Sequence, residues 1–195
     1  ITRSDAPLGA GLGGSASMAV ALVGLLNHGL GPAETAEFAY RLEMDELKNL
    51  SGKQDQYAAV FGGINLFEFS KDGVKINPVV LDKETKGELE KRLVLFYTGE
   101  SRVSGDLHKH VWGNYGKLIK HFHNMKRIAY DQRDALTEGR LDDFGRLLTE
   151  NWENQKALSD SISNETIDNL FNFALKNGAV GGKLCGAGGG GCGVF

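Results

Sequence analysis

The chain has 195 residues, a net charge of −3, 41% hydrophobic and 24% charged residues. That balance suits a globular chain long enough to bury a core as one domain or two small ones. No lysine/arginine block marks a nucleic-acid partner, no apolar run nears the ~20 residues of a membrane span, and no secretory leader is recognised. The outlier is glycine: 27 residues against 3 prolines, about twice the usual level. Positions 9–14 hold four of these glycines and positions 178–193 hold nine. Glycine packed this way marks backbone that turns sharply or approaches a ligand closely.

In chain order, residues 1–6 read as a short strand or strand end, and Pro7–Gly14 as a loop. Ser15–His28 reads as a helix, apolar nearly all round and therefore expected to be buried. Gly31-Pro32 opens a second helix that runs to about Asn49, with proline at its first position. Ser51-Gly52 precedes a third helix, Lys53–Phe61. Ile64–Phe69 and Val74–Leu81 read as strands, with Asp72-Gly73 as the hairpin signal between them. The charged segment Asp82–Lys91 lacks a clear apolar face before Leu89 and is the candidate domain boundary. Leu93–Tyr97 reads as a buried strand. Helices are then expected near Ser104–Tyr115, Lys117–Glu138, Leu141–Leu158 and Asn164–Lys176. The second glycine cluster follows and closes on Cys192-Gly193-Val194-Phe195, which reads as an unfinished strand. With Ile1 at the start, the expectation is an interior piece of a longer protein.

The first glycine loop leads straight into a helix. The first N–H groups of a helix lack internal partners, and its dipole adds positive character there. Gly9, Gly11, Gly13 and Gly14 let that end approach a phosphate, and Ser15 and Ser17 add hydroxyls for a phosphate oxygen or a metal. The plain alternative is a glycine turn with a serine cap. The P-loop pattern G-x-x-x-x-G-K-[ST] is absent. Gly9-x-Gly11-x-x-Gly14 matches the dinucleotide fingerprint, but that reading, an oxidoreductase, requires a strand directly after the first helix.

Glu43 shares a helix face with Ala36, Ala39/Tyr40 and Leu47. A carboxylate there costs free energy unless it meets a cation, donors or water at the stripe's edge. A magnesium ligand is the functional reading. Asp55 lies in the first turns of the third helix close to Lys53, and both features favour its ionised form. Helix capping is the alternative role. Gln54 and Gln56 flank it with amides suited to sugar hydroxyls. In Gly181–Phe195 a second anion-binding nest is the preferred reading over a flexible linker. His108/His110 and His121/His123 are two H-x-H pairs, and i, i+2 residues of a helix do not share a face. Trp112 and Trp152 read as packing residues. The two cysteines, Cys185 and Cys192, form no C-x-x-C pair, so reduced thiols in a cytoplasmic protein are the default.

Taken in order, these motifs resemble the GHMP kinases, the family of galactokinase, homoserine kinase, mevalonate kinase and phosphomevalonate kinase. Pro7-x-x-x-Gly11-Leu12-Gly13-Gly14-Ser15 is similar to the family's ATP phosphate loop, with Gly14 where many members have serine. Gly186-Ala187-Gly188-Gly189-Gly190-Gly191 is similar to its third motif, which packs beside that loop. The family's first motif is not found. The resemblance implies an α+β, two-domain GHMP kinase fold. Residues 1–88 would form an incomplete N-terminal part like ribosomal S5 domain 2, and residues 89–195 a ferredoxin-like helical C-terminal part. It implies ATP and Mg²⁺ as cofactors and a small-molecule substrate. ATP would bind Gly9, Gly11, Leu12, Gly13, Gly14, Ser15, Ala16 and Ser17. Ser15 and Glu43 would hold Mg²⁺, and Asp55 would orient or deprotonate the substrate hydroxyl.

Within the family, Ser51–Gly63 and Tyr97-Thr98-Gly99-Glu100-Ser101-Arg102 look most like the D-glycero-D-manno-heptose 7-phosphate kinases, which phosphorylate the anomeric hydroxyl of a sugar phosphate. Fucose-, galactose- or mevalonate-type kinases are the alternatives. Lys53, Gln54, Gln56, Arg102, Gly188, Gly189 and Gly190 are the candidate substrate-binding positions. Arg102 is the candidate for the sugar phosphate, because its guanidinium suits phosphate bidentately.

Overall fold

The computed structural model describes residues 3–7, 9–48, 51–100, 111 and 113–195. Three helices come first: α1 Gly14–Leu26, α2 Pro32–Arg41 and α3 Gln54–Phe61. Small side chains let them approach closely, with Ala16, Ala36 and Ala39 all buried. Residues 3–6 form no strand.

Two features of this bundle differ from expectation. Helix α1 buries only Ala16 and Val23, while Met18 (44%), Leu22 (43%), Leu25 (64%) and Leu26 (75%) stay exposed. A helix buries only the faces that meet other elements, and α2 and α3 meet one side of it. The second helix also stops being α-helical at Arg41. Leu42–Glu46 is a π-turn, closed by the Leu47 N–H donating to the Leu42 carbonyl at 3.1 Å. Such turns add a residue to the helical register and re-aim the side chains that follow.

A hairpin follows, β1 Asn65–Ser70 and β2 Gly73–Pro78, antiparallel from Asn65↔Pro78 to Ser70↔Gly73. Its two-residue turn is therefore Lys71-Asp72, one residue earlier than expected. Phe67 and Phe69 pack on Tyr57 of α3, with ring centroids 6.0 and 5.7 Å away.

The candidate boundary segment is a helix, α4 Lys83–Arg92. Asp82 caps it, accepting from the Thr85 N–H and hydroxyl at 2.8 Å each. A side-chain cap and Leu89, the buried residue of the helix, suffice to hold it. The expected division between residues 88 and 89 falls inside this helix. Arg92 ties its end to Asp142 at 2.8 Å.

The remaining elements are β3 Leu95–Tyr97, α5 Tyr115–Thr137, α6 Leu141–Lys156, a 3₁₀ turn Asp160–Ile162, α7 Glu165–Lys176, β4 Lys183–Leu184 and β5 Cys192–Val194. The expected helix near Ser104–Tyr115, with Trp112, His108 and His110, lies largely outside the described residues. The last strand is central in its sheet, in the order β3-β5-β4, antiparallel throughout. The helices cover this sheet with a core of Trp152, Leu158, Ile162, Ile167, Phe171 and Leu184. Trp152 stacks on Phe171, 5.5 Å between centroids. His121 meets Asn154, 3.1 Å from Nδ1 to Oδ1. Among the described residues no helix is long and apolar enough to cross a membrane.

Hairpin and helices are joined by Tyr130, whose hydroxyl donates to Glu68 at 2.8 Å. With a second bond from Asn77, it holds the Glu68 carboxyl below its ordinary value of 4.5. A lowered folded-state value stabilises the fold above the ordinary carboxylate range, and the effect is lost as pH falls through the lowered value. Tyr130→Phe should therefore lower the Tm at neutral pH. The difference from wild type should shrink toward zero as melting is repeated at pH values descending below 4.5.

Candidate active site

The first glycine loop ends at Gly13, whose left-handed backbone (φ 66°) is the N-cap of α1. No side chain caps this helix start, and its first turn carries no acidic residue. The N–H groups there gain positive character from the dipole, and no residue of that turn offsets it. Gly14, Ser15 and Ser17 are exposed, while Ala16 faces inward. Leu12 is exposed on the loop.

What fixes this loop is the second glycine cluster. The Cys192 N–H donates to the Ala10 carbonyl at 2.7 Å. A Cβ at Gly11 (φ 72°) would lie 2.7 Å from the Cys185 carbonyl oxygen, and one at Gly191 2.7 Å from that of Ala10. The two loops therefore lie backbone against backbone, with no room for side chains. Strand-end residues hold the second loop in turn. The Gly191 N–H donates to the Glu100 carbonyl at 2.7 Å, and the Gly191 carbonyl accepts from Thr98 N–H and Oγ1 at 2.9 Å each. The Gly189 N–H donates to the Ile162 carbonyl at 2.7 Å, and Gln155 Nε2 to the Gly186 carbonyl at 2.8 Å.

This arrangement changes the reading of the second cluster. The N–H groups of Gly189 and Gly191 are spent on protein carbonyls rather than turned to an anion. Gly190 is buried against the Glu100 carbonyl. Gly188 lies against Ile162, where a Cβ would meet the carbonyl oxygen at 3.0 Å. The cluster is a backbone clamp. Burial pushes the Cys185 thiol up, so it sits behind the loop as a protonated packing group.

Helix α3 brings its first turn to the same place. A Cβ at Gly13 would lie 3.4 Å from Asp55 Cγ and 3.5 Å from its Oδ2. The Asp55 carboxylate therefore stands beside the N-cap of α1. Gln54 next to it is exposed. The other two neighbours expected to touch substrate, Lys53 and Gln56, are engaged elsewhere. Lys53 Nζ reaches both oxygens of Glu37 at 2.8 Å and lies 5.0 Å from the Tyr40 ring centroid, pinning α3 to α2. Gln56 points into the protein, 1% exposed, and its Nε2 donates to Glu43 Oε2. Arg102 lies outside the described residues, as does Leu8 in the first loop.

Glu43, carried on the π-turn, is 3% exposed. Among the described residues it makes no ion pair. A carboxylate buried against a neutral amide alone is costly, and a hard cation with oxygen ligands fits it. The exposed Ser15 hydroxyl is a further oxygen of the required kind. Among the described residues no group of three or more His, Cys, Asp or Glu gathers for a metal.

Sequence patterns missed three supports of this site. Thr98, Gln155 and the π-turn act through contacts with residues distant in the chain, and no local signal marks them. The strand that a dinucleotide-binding reading requires after the first helix is replaced by α2.

Comparison with known proteins agrees with these features. Residues 1–63 match the family model for the GHMP kinases N terminal domain, and residues 132–195 match that for the GHMP kinases C terminal. The chain is 36% identical to a D-glycero-alpha-D-manno-heptose 7-phosphate kinase of Campylobacter jejuni, over 97% of this chain and 58% of that protein. It is 33% identical to a bifunctional fucokinase/GDP-fucose pyrophosphorylase of Arabidopsis thaliana, over 97% of this chain and 19% of that one. A solved D-glycero-D-manno-heptose 1-phosphate kinase from Bacteroides thetaiotaomicron superposes with a TM-score of 0.74 at 35% identity, over 99% of this chain and 55% of that one. The chain thus spans little more than half the length of the heptose kinases it matches.

The loop junction makes a prediction about stability. Gly11→Ala adds a Cβ against a backbone carbonyl at a positive φ and should cost about 2–3 kcal/mol. Gly87→Ala, inside α4 with open space around it, should instead gain about 0.5–1 kcal/mol. Urea denaturation midpoints of the two variants against wild type check both signs.

Proposed function

The chain belongs to the GHMP kinase family, and on that premise we propose that it acts as an ATP-dependent sugar kinase. It would transfer the γ-phosphoryl group to the anomeric hydroxyl of a sugar phosphate. The substrate we propose is D-glycero-D-manno-heptose 7-phosphate, giving the 1,7-bisphosphate. The names of two relatives at about 35% identity support the substrate class. The observation that carries the reading is the junction of the two glycine loops, with the Asp55 carboxylate standing against Gly13 at the start of α1. We propose that residues 1–88 and 89–195 are the two domains that meet there.

In this reading the ATP phosphates lie along Gly9–Ser17, where uncapped N–H groups and the helix dipole favour negative charge. Ser15 and Glu43 would hold Mg²⁺, which when bound neutralises charge on the phosphates. Asp55 would accept a hydrogen bond from the C1 hydroxyl of the sugar, orient its oxygen toward the γ-phosphorus and take its proton as the bond forms. Positioning and charge neutralisation do most of the work in phosphoryl transfer, so a rigid loop matters more than a strong base. The second reading, a kinase of fucose or mevalonate, is favoured by relatives of those names at about 30% identity.

A coupled assay of ADP release over heptose 7-phosphate, fucose, galactose, mannose and mevalonate tests the substrate. Release with heptose 7-phosphate well above the others is expected; preference for another member of the panel overturns that choice. Asp55→Asn should lower turnover by at least about 100-fold and leave ATP affinity unchanged. Glu43→Gln should raise the Mg²⁺ concentration that supports half-maximal rate by about tenfold or more.

A further inference from the structure

Gln56 was expected to face a sugar, yet it is 1% exposed and faces Glu43. We infer that Gln56 is the positioning residue that holds the Glu43 carboxylate in place to receive a divalent cation. This deepens the proposed function and rests on its reading of Glu43 as a metal ligand.

Three observations carry the inference. First, Gln56 Nε2 donates to one carboxylate oxygen, Oε2. Among the described residues the other oxygen accepts no hydrogen bond, so one oxygen is fixed and one is left to ligate. Second, the donor is neutral. A lysine or arginine at this place would compensate the carboxylate's charge and compete with a cation, whereas an amide orients the group and leaves its charge uncompensated. Third, the amide is kept at a cost. Among the described residues Gln56 Oε1 is buried without a hydrogen-bond partner, a penalty that an apolar side chain of the same length would avoid. A residue present only to pack α3 against α2 has no use for that amide.

The two helices suit this pairing. Gln56 sits on the inner face of α3, one residue past Asp55. Glu43 meets it from the face that it shares with the buried Ala36 and Ala39 of α2. The same short helix thereby presents Asp55 outward to substrate and Gln56 inward to the metal ligand.

The test measures Mn²⁺ binding to the intact protein in the presence of ATP, by the electron paramagnetic resonance signal of free Mn²⁺. Gln56→Met keeps the length and removes the donor. It should weaken Mn²⁺ binding about 10- to 100-fold while metal-free ATP affinity and the circular dichroism spectrum stay as in wild type. In a Glu43→Gln background the same change should have no further effect. Equal losses in both backgrounds, or an unchanged Mn²⁺ affinity in Gln56→Met, overturn the inference while leaving Glu43 as a ligand. If Glu43→Gln alone leaves Mn²⁺ affinity unchanged, the metal-ligand reading itself fails and takes the inference with it. The unaltered protein gives an answer that does not depend on any variant folding. The Gln56 side-chain ¹⁵NH₂ resonance should be broadened by substoichiometric Mn²⁺ with ATP, and persistence of a sharp signal overturns the proposal.

Discussion

The site depends on one contact between two stretches of backbone, Ala10-Gly11 and Cys185–Cys192. A peptide N–H meets a carbonyl at Ala10, and side-chain-free residues lie on both sides of the seam. Main-chain contact of this kind gives a loop a fixed shape that flexible side chains could not impose. It also joins the helical N-terminal part to the C-terminal sheet, because the second loop is the connection between β4 and β5. The shape of the first glycine loop is thus set by residues some 180 positions away in the chain.

Around this seam, charge is distributed in two different ways. At the start of α1 neither a side-chain cap nor an acidic residue of the first turn meets the positive end of the helix. On the π-turn, Glu43 is buried with a neutral partner. The first arrangement leaves a site that attracts anions and the second a carboxylate that lacks a countercharge. A nucleotide with a divalent cation would satisfy both, since its phosphates supply acceptors and its metal the charge. Lys53 with Glu37 and Arg92 with Asp142 are, by contrast, paired with opposite charges.

Helix α3 shows how little secondary structure is needed to divide these tasks. Its cap residue Lys53 reaches α2, and its eight residues put Asp55 on the exposed side and Gln56 inside. Consecutive residues of a helix point about 100° apart, so neighbours serve different partners. The run Lys53-Gln54-Asp55-Gln56 reads in the sequence as one polar cluster aimed at one substrate, and the helix disperses it.

The sequence by itself pointed to the family and to most of the elements, and it singled out Ser15, Glu43 and Asp55 as candidates for the site. Helical periodicity located α1, α2, α3, α5, α6 and α7, and glycine spacing picked out both loops. It failed where the deciding partner is distant in the chain. Helix α4 looked like a linker because its hold on the fold comes from an Asp82 cap and an ion pair to Asp142. Helix α1 looked buried because composition says how apolar a face is, not whether anything packs on it. The π-turn, the inward direction of Gln56 and the use of the Gly189 and Gly191 N–H groups were decided only in three dimensions. Each depends on which backbone carbonyl or carboxylate the fold brings opposite, and local spacing holds no information about that.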